Sequence, residues 1–257
     1  MPAPDLKILI LGGTQEAVAL ASVLAAQRPD VSAVTSLAGR TQSPAPIPGP
    51  VRTGGFGGAA RMRDYLRAEE FSALVDATHP FATQISSHAA QACTELGLPR
   101  LVLHRAPWRA APDDQWHDVP DMPAAATYLP KLGRRVFLST GPRAVAAFSA
   151  VTGVWFLVRM VDTPTTPLPF ACGEIVLGRG PFDEAAERAL MVEHRIDLLV
   201  TRNSGGAGAA AKLKAARDLD LPVIMVARPD PPPGVRVETV DAVLDWLAGQ
   251  PSRNTCV

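Results

Sequence analysis

Leu6-Lys7-Ile8-Leu9-Ile10-Leu11-Gly12-Gly13-Thr14-Gln15-Glu16-Ala17 is the stretch of sequence that decides the fold. Its first half is a short, nearly continuous apolar run, which is typical of a strand buried on both faces of a parallel sheet. Gly12, Gly13 and Thr14 then predict a tight turn, and apolar residues recur at helical spacing over residues 17–26. The stretch therefore predicts a strand, a glycine turn and a helix, which together open an α/β domain.

The turn after this first strand is a candidate phosphate site. Unpaired backbone N–H groups and the positive end of the helix dipole converge at such a helix start. The turn departs from the Gly-x-Gly-x-x-Gly dinucleotide fingerprint, because Thr14 and Ala17 stand where further glycines are expected, although alanine is tolerated at the last position. A tight turn with no ligand stays open as the alternative.

Length and composition bound the class of protein. The 257 residues are enough for one large domain or two modest ones. The 25 acidic and 25 basic residues balance, which argues against a nucleic-acid partner. No apolar run is long enough to span a membrane, and the N-terminus lacks the basic and apolar regions of a signal peptide. The three scattered cysteines and five histidines show no metal-ligand spacing. We therefore expect a soluble cytoplasmic protein without a metal site.

The segment after the predicted second strand, residues 31–36, bears on the choice of cofactor. In doubly wound folds the adenosine ribose lies at the end of the second strand, where an acidic residue favours NAD and a basic or hydroxyl residue suits the 2′-phosphate of NADP. Aspartate and glutamate are absent between Val31 and Asp64, whereas Ser36, Gly39 and Arg40 stand at the strand end. If a dinucleotide binds, the sequence favours NADP.

Two further segments of the first half have ligand-binding character. Residues 54–58 place four glycines around Phe56, a backbone that a flat ligand can approach closely, with a plain turn as the alternative. Residues 76–82, Asp-Ala-Thr-His-Pro-Phe-Ala, follow a predicted buried strand at its carboxyl end, where ligands bind in open α/β sheets. His79 is a candidate acid, donor or stacking ring there, or a satisfied loop histidine. The cofactor candidates in these segments are Gly55, Phe56, Gly57, Thr78, Pro80 and Phe81.

The second half repeats the strand, turn and helix pattern twice. Residues 105–123 lose any clear period and predict the crossing from a first domain, residues 1–105, into a second one, residues 106–257. Residues 135–143 and 197–206 each run from a buried strand into a helix start rich in hydroxyl, amide and cationic groups. Such groups suit a large anionic substrate, although each edge alone is compatible with ordinary helix capping. The substrate-binding candidates are Arg105, Thr140, Gly141, Arg143, Arg202, Asn203, Ser204, Gly205 and Gly206.

Several catalytic motifs are absent from the sequence. Neither tyrosine is followed four positions later by lysine, which excludes the Tyr-x-x-x-Lys pair of short-chain dehydrogenases. There is no Gly-x-Ser-x-Gly elbow and no Walker phosphate loop. Hydride transfer fits a chain without an internal nucleophile, because a nicotinamide cofactor carries the reactive atom.

Taken together, these motifs resemble the precorrin-6A reductases of the cobalamin (corrin ring) pathway. The resemblance extends from Leu6 to about Arg228, and its most specific parts are residues 76–82 and the Asn-Ser-Gly-Gly run at 203–206. It implies two Rossmann-like α/β domains with parallel sheets, and an interdomain cleft that holds cofactor and substrate. It also implies an NADPH-dependent reduction of one double bond in the precorrin-6A macrocycle to give precorrin-6B.

Roles for individual residues follow from this resemblance and from their positions at strand ends. Hydride passes from the nicotinamide to one ring carbon and a proton to its neighbour, with His79, Lys212 or water as candidate proton sources. Asp76 is a candidate to orient the nicotinamide or His79. The arginines suit the carboxylates of the substrate. Whether that substrate carries cobalt, and whether the protein is a monomer or a small homo-oligomer, stay open.

Two other functions remain compatible with the sequence. One is an NADP-dependent reductase of a smaller anion. The other is a non-catalytic nucleotide-binding or tetrapyrrole-carrier protein, which would bind ligand without oxidising NADPH.

Overall fold

The computed structural model describes residues 6–39 and 45–250, so the predicted cofactor residue Arg40 lies outside the described residues. The chain divides into two units, one comprising residues up to Ala106 together with those from Pro229, the other Pro107–Arg228. Each unit contains a six-stranded sheet whose strand pairs are all parallel. None of the described helices is both long and apolar enough to cross a membrane. The predicted α/β class with two parallel sheets is confirmed.

The first part of the chain builds most of the first unit. Its strands are β1 (Leu6–Leu11), β2 (Val31–Leu37), β3 (Val51–Thr53), β4 (Ala73–Asp76) and β5 (Arg100–Leu103). Its helices are α1 (Gln15–Gln27), α2 (Ala59–Ala68) and α3 (Thr83–Leu96).

The middle of the chain builds the second unit. Its strands are β6 (Trp116–Val119), β7 (Arg135–Ser139), β8 (Trp155–Met160), β9 (Gly173–Leu177), β10 (Leu198–Arg202) and β11 (Val223–Val226). Its α-helices are α4 (Met122–Tyr128), α5 (Glu184–Glu193) and α6 (Ala211–Asp218), and short 3₁₀ helices cover Leu129–Lys131, Pro142–Phe148 and Ala207–Ala209. The chain then returns to the first unit with β12 (Val235–Val237) and α7 (Val240–Ala248).

The two sheets share one strand order. The first runs β3-β2-β1-β4-β5-β12 and the second β9-β8-β7-β10-β11-β6. When each run of five consecutive strands is numbered from its own first strand, both sheets follow the 3-2-1-4-5 part of the 3-2-1-4-5-6 order of dinucleotide-binding folds, with one further strand in the sixth position. Although β6 follows β5 along the chain, it pairs with β11, and β12, which follows β11, pairs with β5. Each sheet thus takes its sixth strand from outside its own run of five.

Because the chain returns to the first unit after residue 228, the two units differ from the domains predicted from the sequence. The break at Ala106 lies one residue from the predicted one, but the segment from Pro229 onwards lies in the first unit and not in the second. The sequence analysis predicted neither β6 nor β12. Both are short edge strands without a buried apolar run, since only Val119 of β6 is buried and β12 is largely exposed. The hydrophobic pattern therefore does not show which sheet β6 and β12 belong to.

The first strand is buried on both faces, as predicted. Ile8 and Ile10 pack in one layer with α1 and α7, while Leu9 and Leu11 pack in the opposite layer with α2 and α3. Successive side chains of a strand point to opposite faces, so a strand covered by helices on both sides must be apolar throughout.

We expect α7 to stabilise the first unit, although it comes last in the chain. Leu247 is fully buried in the core layer that contains β1 and β5. Leu247→Ala should cost about 2–5 kcal/mol of that unit's unfolding free energy. Hydrogen–deuterium exchange should then speed up in β1 and β5 and stay unchanged in β7 and β10. Asp245→Ala, on the exposed face of the same helix, is the control. Faster exchange confined to β7 and β10 would contradict the assignment of α7.

Candidate active site

The carboxyl ends of β1 and β4 bound the point at which the strand order of the first sheet reverses. Thr14 joins the two segments that follow these strands. Its hydroxyl accepts a hydrogen bond from Ala17 N at 3.2 Å, which caps α1, and donates to Ala77 O at 2.7 Å. One side chain therefore positions both the helix start after β1 and the turn after β4.

The glycines before Thr14 make this turn approachable. A Cβ on Gly12 would lie 2.9 Å from Thr35 Cγ2, so only glycine lets the turn pack against β2. Gly13 has a φ of +107°, and, apart from its two chain neighbours, no heavy atom of the described residues lies within 4 Å of the position that its Cβ would occupy. Because the first-turn N–H groups of α1 have no intrahelical acceptor, the open turn suits an anion.

Glu16, in the first turn of α1, forms an ion pair with Arg105, with 2.5 Å between Arg105 Nη1 and Glu16 Oε2. A carboxylate at this place would repel a phosphate, and the guanidinium offsets its charge. Arg105 thus lies at the carboxyl edge of the first sheet, and the contact with substrate predicted for it stays a prediction.

Asp76, at the end of β4, is fully buried. Its Oδ1 accepts hydrogen bonds from Thr78 N at 3.2 Å and Thr78 Oγ1 at 2.7 Å. Its Oδ2 has no hydrogen-bond partner among the residues that the structure describes. A buried carboxylate oxygen left without a donor is costly, so this position favours a ligand that brings an N–H or O–H group.

His79 is partly exposed in the turn after β4. Its Nδ1 accepts a hydrogen bond from Phe81 N at 3.2 Å, and the two rings lie 5.8 Å apart. Because Nδ1 is an acceptor, the neutral ring carries its proton on Nε2. His79 can therefore present an Nε2–H donor to a ligand while its backbone neighbours hold the ring in place.

The ends of β2 and β3 carry the remaining cofactor candidates. Ser36 is buried and pairs in register with Arg52. Arg52 Nη1 donates to Ser36 Oγ at 3.1 Å, and its guanidinium lies 3.8 Å from the Phe56 ring centroid. Arg52 is not among the cofactor residues predicted from the sequence. An arginine inside an acid-free segment, two positions before a glycine run, was the signal that could have identified it. Gly39, Gly55 and Gly57 lie in the adjoining turns.

A second polar edge lies at the carboxyl ends of β7 and β10. Thr201 pairs in register with Ser139, so the next residues, Thr140 and Arg202, are also brought together. Thr140 is buried, and within the described parts of the chain its Oγ1 has no hydrogen-bond partner. A Cβ on Gly141, whose φ is +80°, would lie 3.3 Å from Arg202 Nη2.

Burial lowers the pKa of Arg202 to about 10, which still leaves the guanidinium charged at neutral pH. A desolvated cation gains more from an anionic partner than a hydrated one does. This edge therefore suits a carboxylate. Arg143 is exposed at the same turn.

Asn203 is held in a reciprocal contact with the backbone of Trp108. Trp108 N donates to Asn203 Oδ1 at 2.8 Å, and Asn203 Nδ2 donates to Trp108 O at 3.0 Å. The Trp108 indole N–H donates to Gly206 O at 2.8 Å. Lys212, which is buried, donates to Ala209 O at 2.7 Å and has its Nζ 4.9 Å from the Trp108 ring centroid. The predicted substrate loop thus anchors Trp108, a role that the sequence analysis did not assign.

The structure therefore gathers the predicted residues into two sets, one on each sheet. The first set comprises Gly12, Gly13, Thr14, Ser36, Gly39, Gly55, Phe56, Gly57, Asp76, Thr78, His79, Pro80, Phe81 and Arg105. The second comprises Thr140, Gly141, Arg143, Arg202, Asn203, Ser204, Gly205, Gly206 and Lys212. The predicted interdomain cleft, and the roles of these residues, stay predictions.

The profile of the family described as precorrin-6x reductase CbiJ/CobK matches residues 7–248. The chain belongs to this family. The precorrin-6A reductase of Rhodococcus erythropolis is 50% identical over 242 residues, which cover 94% of this chain and 96% of that protein. The precorrin-6A reductase of Rhodobacter capsulatus is 46% identical over 242 residues, with the same shares covered. A solved structure, CobK precorrin-6A reductase, has 44% identity and a TM-score of 0.91 and covers 97% of this chain and 100% of that one.

Membership of the precorrin-6x reductase family confirms the resemblance stated from the sequence and the class of enzyme, an oxidoreductase acting on a CH–CH bond. A reductase of this kind implies a nicotinamide cofactor. The first unit fits one, because the backbone at Gly13 is open and Asp76 Oδ2 is a buried acceptor that a carboxamide N–H can satisfy.

The burial of the Arg202 guanidinium should make stability depend on pH. Its folded pKa lies below the ordinary value, so the cost of burying the charged form is fully present below about pH 10 and fades as the pH rises towards the unfolded value. Arg202→Met should remove this pH dependence and weaken the binding of precorrin-6A. Urea unfolding at several pH values and titration with precorrin-6A measure the two effects. Arg188→Met, at an exposed position of α5, should change neither. Unchanged binding of precorrin-6A by Arg202→Met would contradict the role of Arg202 in substrate binding.

Proposed function

We propose that the protein uses NADPH to reduce one double bond of the precorrin-6A macrocycle, giving precorrin-6B in cobalamin biosynthesis. The reaction class follows from the family, whose curated members include precorrin-6A reductases. Within the structure, the observation that carries the proposal is the Thr14-capped glycine turn beside the buried Asp76 carboxylate, on a sheet with dinucleotide-binding strand order.

In this proposal the carboxyl edge of the first sheet holds the cofactor. Gly12, Gly13, Thr14 and the start of α1 bind the pyrophosphate through backbone N–H groups. Asp76 would orient the nicotinamide, since its Oδ2, which has no hydrogen-bond partner within the described chain, can accept a hydrogen bond from the carboxamide. The cofactor, when bound, supplies the hydride.

The carboxyl edge of the second sheet supplies contacts for the substrate, which is a polycarboxylate. Arg202 binds a carboxylate together with the Thr140 hydroxyl, whose Oγ1 lacks a protein partner in the described chain. Arg143, which is exposed at the same turn, provides a second cation for a substrate carboxylate. The contact between Asn203 and Trp108 holds the loop that begins at Ser204, so its donors are positioned before substrate arrives.

The proton that accompanies the hydride comes from His79 Nε2–H, from the Lys212 ammonium or from water. The neutral His79 ring carries its proton on Nε2, because Nδ1 accepts the hydrogen bond from Phe81 N. Lys212 is buried against the Trp108 ring and has only limited access to water. Both arrangements restrict the motion of the donor, which favours proton transfer to a fixed carbon.

The test of this function is nicotinamide oxidation by the purified protein with precorrin-6A, with NADPH and NADH measured in parallel. Turnover with a preference for NADPH supports the proposal. Binding of precorrin-6A without oxidation of either nucleotide would indicate a carrier protein. Turnover with a smaller anion, and not with the tetrapyrrole, would indicate a different reductase.

Removing the proton donor should lower kcat more than it raises KM. If His79 protonates the substrate, His79→Ala should lower kcat by about 10²- to 10⁴-fold. His88→Ala, which removes a partly exposed histidine of α3, is the matched control and should leave kcat unchanged.

Lys212→Met keeps the apolar stem of the side chain and tests the other candidate in the same assay. If the His79 and Lys212 variants both keep most of the kcat, direct protonation by a side chain is wrong and bound water is the donor.

A further inference from the structure

The glycine run after β3 lies where the adenosine end of a dinucleotide is expected. In the strand order of the first sheet, β2 and β3 occupy the second and third positions, and the adenosine ribose lies at the end of the second strand. Ser36 on β2 pairs in register with Arg52 on β3, so the end of β3 continues this edge. The glycine run, residues 54–58, follows directly.

Arg52 is fixed by contacts on several sides. Nη1 donates to Ser36 Oγ at 3.1 Å and to Gly54 O at 2.5 Å, while Nη2 donates to Gly55 O at 3.0 Å. The guanidinium carbon lies 3.8 Å from the ring centroid of Phe56 and 5.3 Å from that of Tyr65. A planar guanidinium with donors in a rigid fork sets the direction of each acceptor that it binds.

These hydrogen bonds determine how the glycine run faces its surroundings. The carbonyl groups of Gly54 and Gly55 point at Arg52. The C=O and N–H of a trans peptide point in opposite directions, so the N–H groups of Gly55 and Phe56 face away from Arg52. Apart from the adjacent residues, no heavy atom in the part of the chain that the structure describes lies within 4 Å of the positions that Cβ atoms on Gly54, Gly55 and Gly58 would occupy. Successive N–H groups on an open backbone form an anion-binding concavity.

The charged residues in the segment around this glycine run are all basic. The sequence has no aspartate or glutamate from residue 31 to residue 63. Arg52 lies beneath the run, and the side chain of Arg61 lies against Gly57, where a Cβ would come within 3.0 Å of its Cδ and Nη1. Two cations therefore border an open backbone in an acid-free segment, which favours a dianion over a neutral hydroxyl.

We propose that Arg52 is a positioning residue that holds residues 54–58 as the binding site for the adenosine 2′-phosphate, and that this contact makes the enzyme prefer NADP over NAD. The inference rests on the proposed function, because it assumes a nicotinamide dinucleotide on the first sheet. It assigns the discrimination to the 2′-phosphate, so the effect of Arg52 belongs to the binding of NADPH and not to the chemical step.

The decisive measurement is calorimetric titration of the full-length protein with 2′,5′-ADP and with 5′-AMP. The wild-type protein should bind 2′,5′-ADP more tightly. Arg52→Gln should weaken the affinity for 2′,5′-ADP about 10- to 100-fold and change the affinity for 5′-AMP by about twofold or less. Only the contacts of the 2′-phosphate depend on the loop that Arg52 holds. In turnover, the same variant should raise the KM for NADPH and leave kcat unchanged.

Two further variants make the result specific. Arg52→Lys keeps the charge but loses the fork, and should restore part of the affinity for 2′,5′-ADP; it also serves if Arg52→Gln does not fold. Arg67→Gln removes an exposed arginine near the end of α2, with the same change in net charge, and should leave both affinities unchanged.

The outcomes separate this inference from the function on which it rests. Equal losses for both nucleotides would mean that Arg52 only stabilises the loop, and an unchanged ratio of the two affinities would also overturn the proposal. A wild-type protein that reduces precorrin-6A equally well with NADH would overturn it while the reductase function stands. A preference for 2′,5′-ADP that depends on Arg52, without oxidation of either nucleotide, would support the inference and refute the reductase function.

Discussion

The parallel pairing of β1 with β2 on one side and with β4 on the other is the constraint on which the site depends. The chain leaves β1 towards β2 and later returns to β4, so the segments after β1 and β4 separate at the carboxyl edge. The Thr14 hydroxyl joins the two segments, because it caps α1 and also binds Ala77 O. The glycine turn and the buried Asp76 carboxylate therefore share one edge of the sheet, because two long-range contacts, the pairing of β1 with β4 and the hydrogen bond from Thr14 to Ala77 O, bring them together.

A shared principle governs the polar groups at the two sheet edges. Asp76 Oδ2 and Thr140 Oγ1 are buried and have no hydrogen-bond partner in the described residues, and Arg202 is desolvated enough to lower its pKa. The two unpartnered oxygens reduce the stability of the folded chain, since each gives up hydration without a compensating hydrogen bond. A folded protein retains them where a ligand supplies the missing partner. This separates them from Arg217 and Asp114, which form an ion pair in the second unit without a ligand.

Local sequence was sufficient for most of the elements and for much of the site. Continuous apolar runs identified the central strands β1, β4, β7 and β10, since a strand covered on both faces must be apolar throughout. The polar residues after those runs then had to lie at one edge of each sheet, because the strands are parallel. For that reason the sequence alone was enough to predict that the residues around Gly12, Asp76, Thr140 and Arg202 lie at these edges, while their roles stay predictions. Arg40, on which the choice of NADP was argued, lies outside the described residues.

The sequence by itself determined the family, the α/β class and the strand ends that carry polar groups, because these depend on local pattern and on motifs. Only the tertiary structure decided that β6 and β12 complete sheets other than those they follow in the chain, since edge strands with exposed side chains have no hydrophobic pattern that selects a partner. It also decided that Asn203 anchors Trp108 and that Arg52 holds the glycine run. Those contacts join residues whose side-chain directions are set by packing, and packing is not encoded in the spacing of residues along the chain.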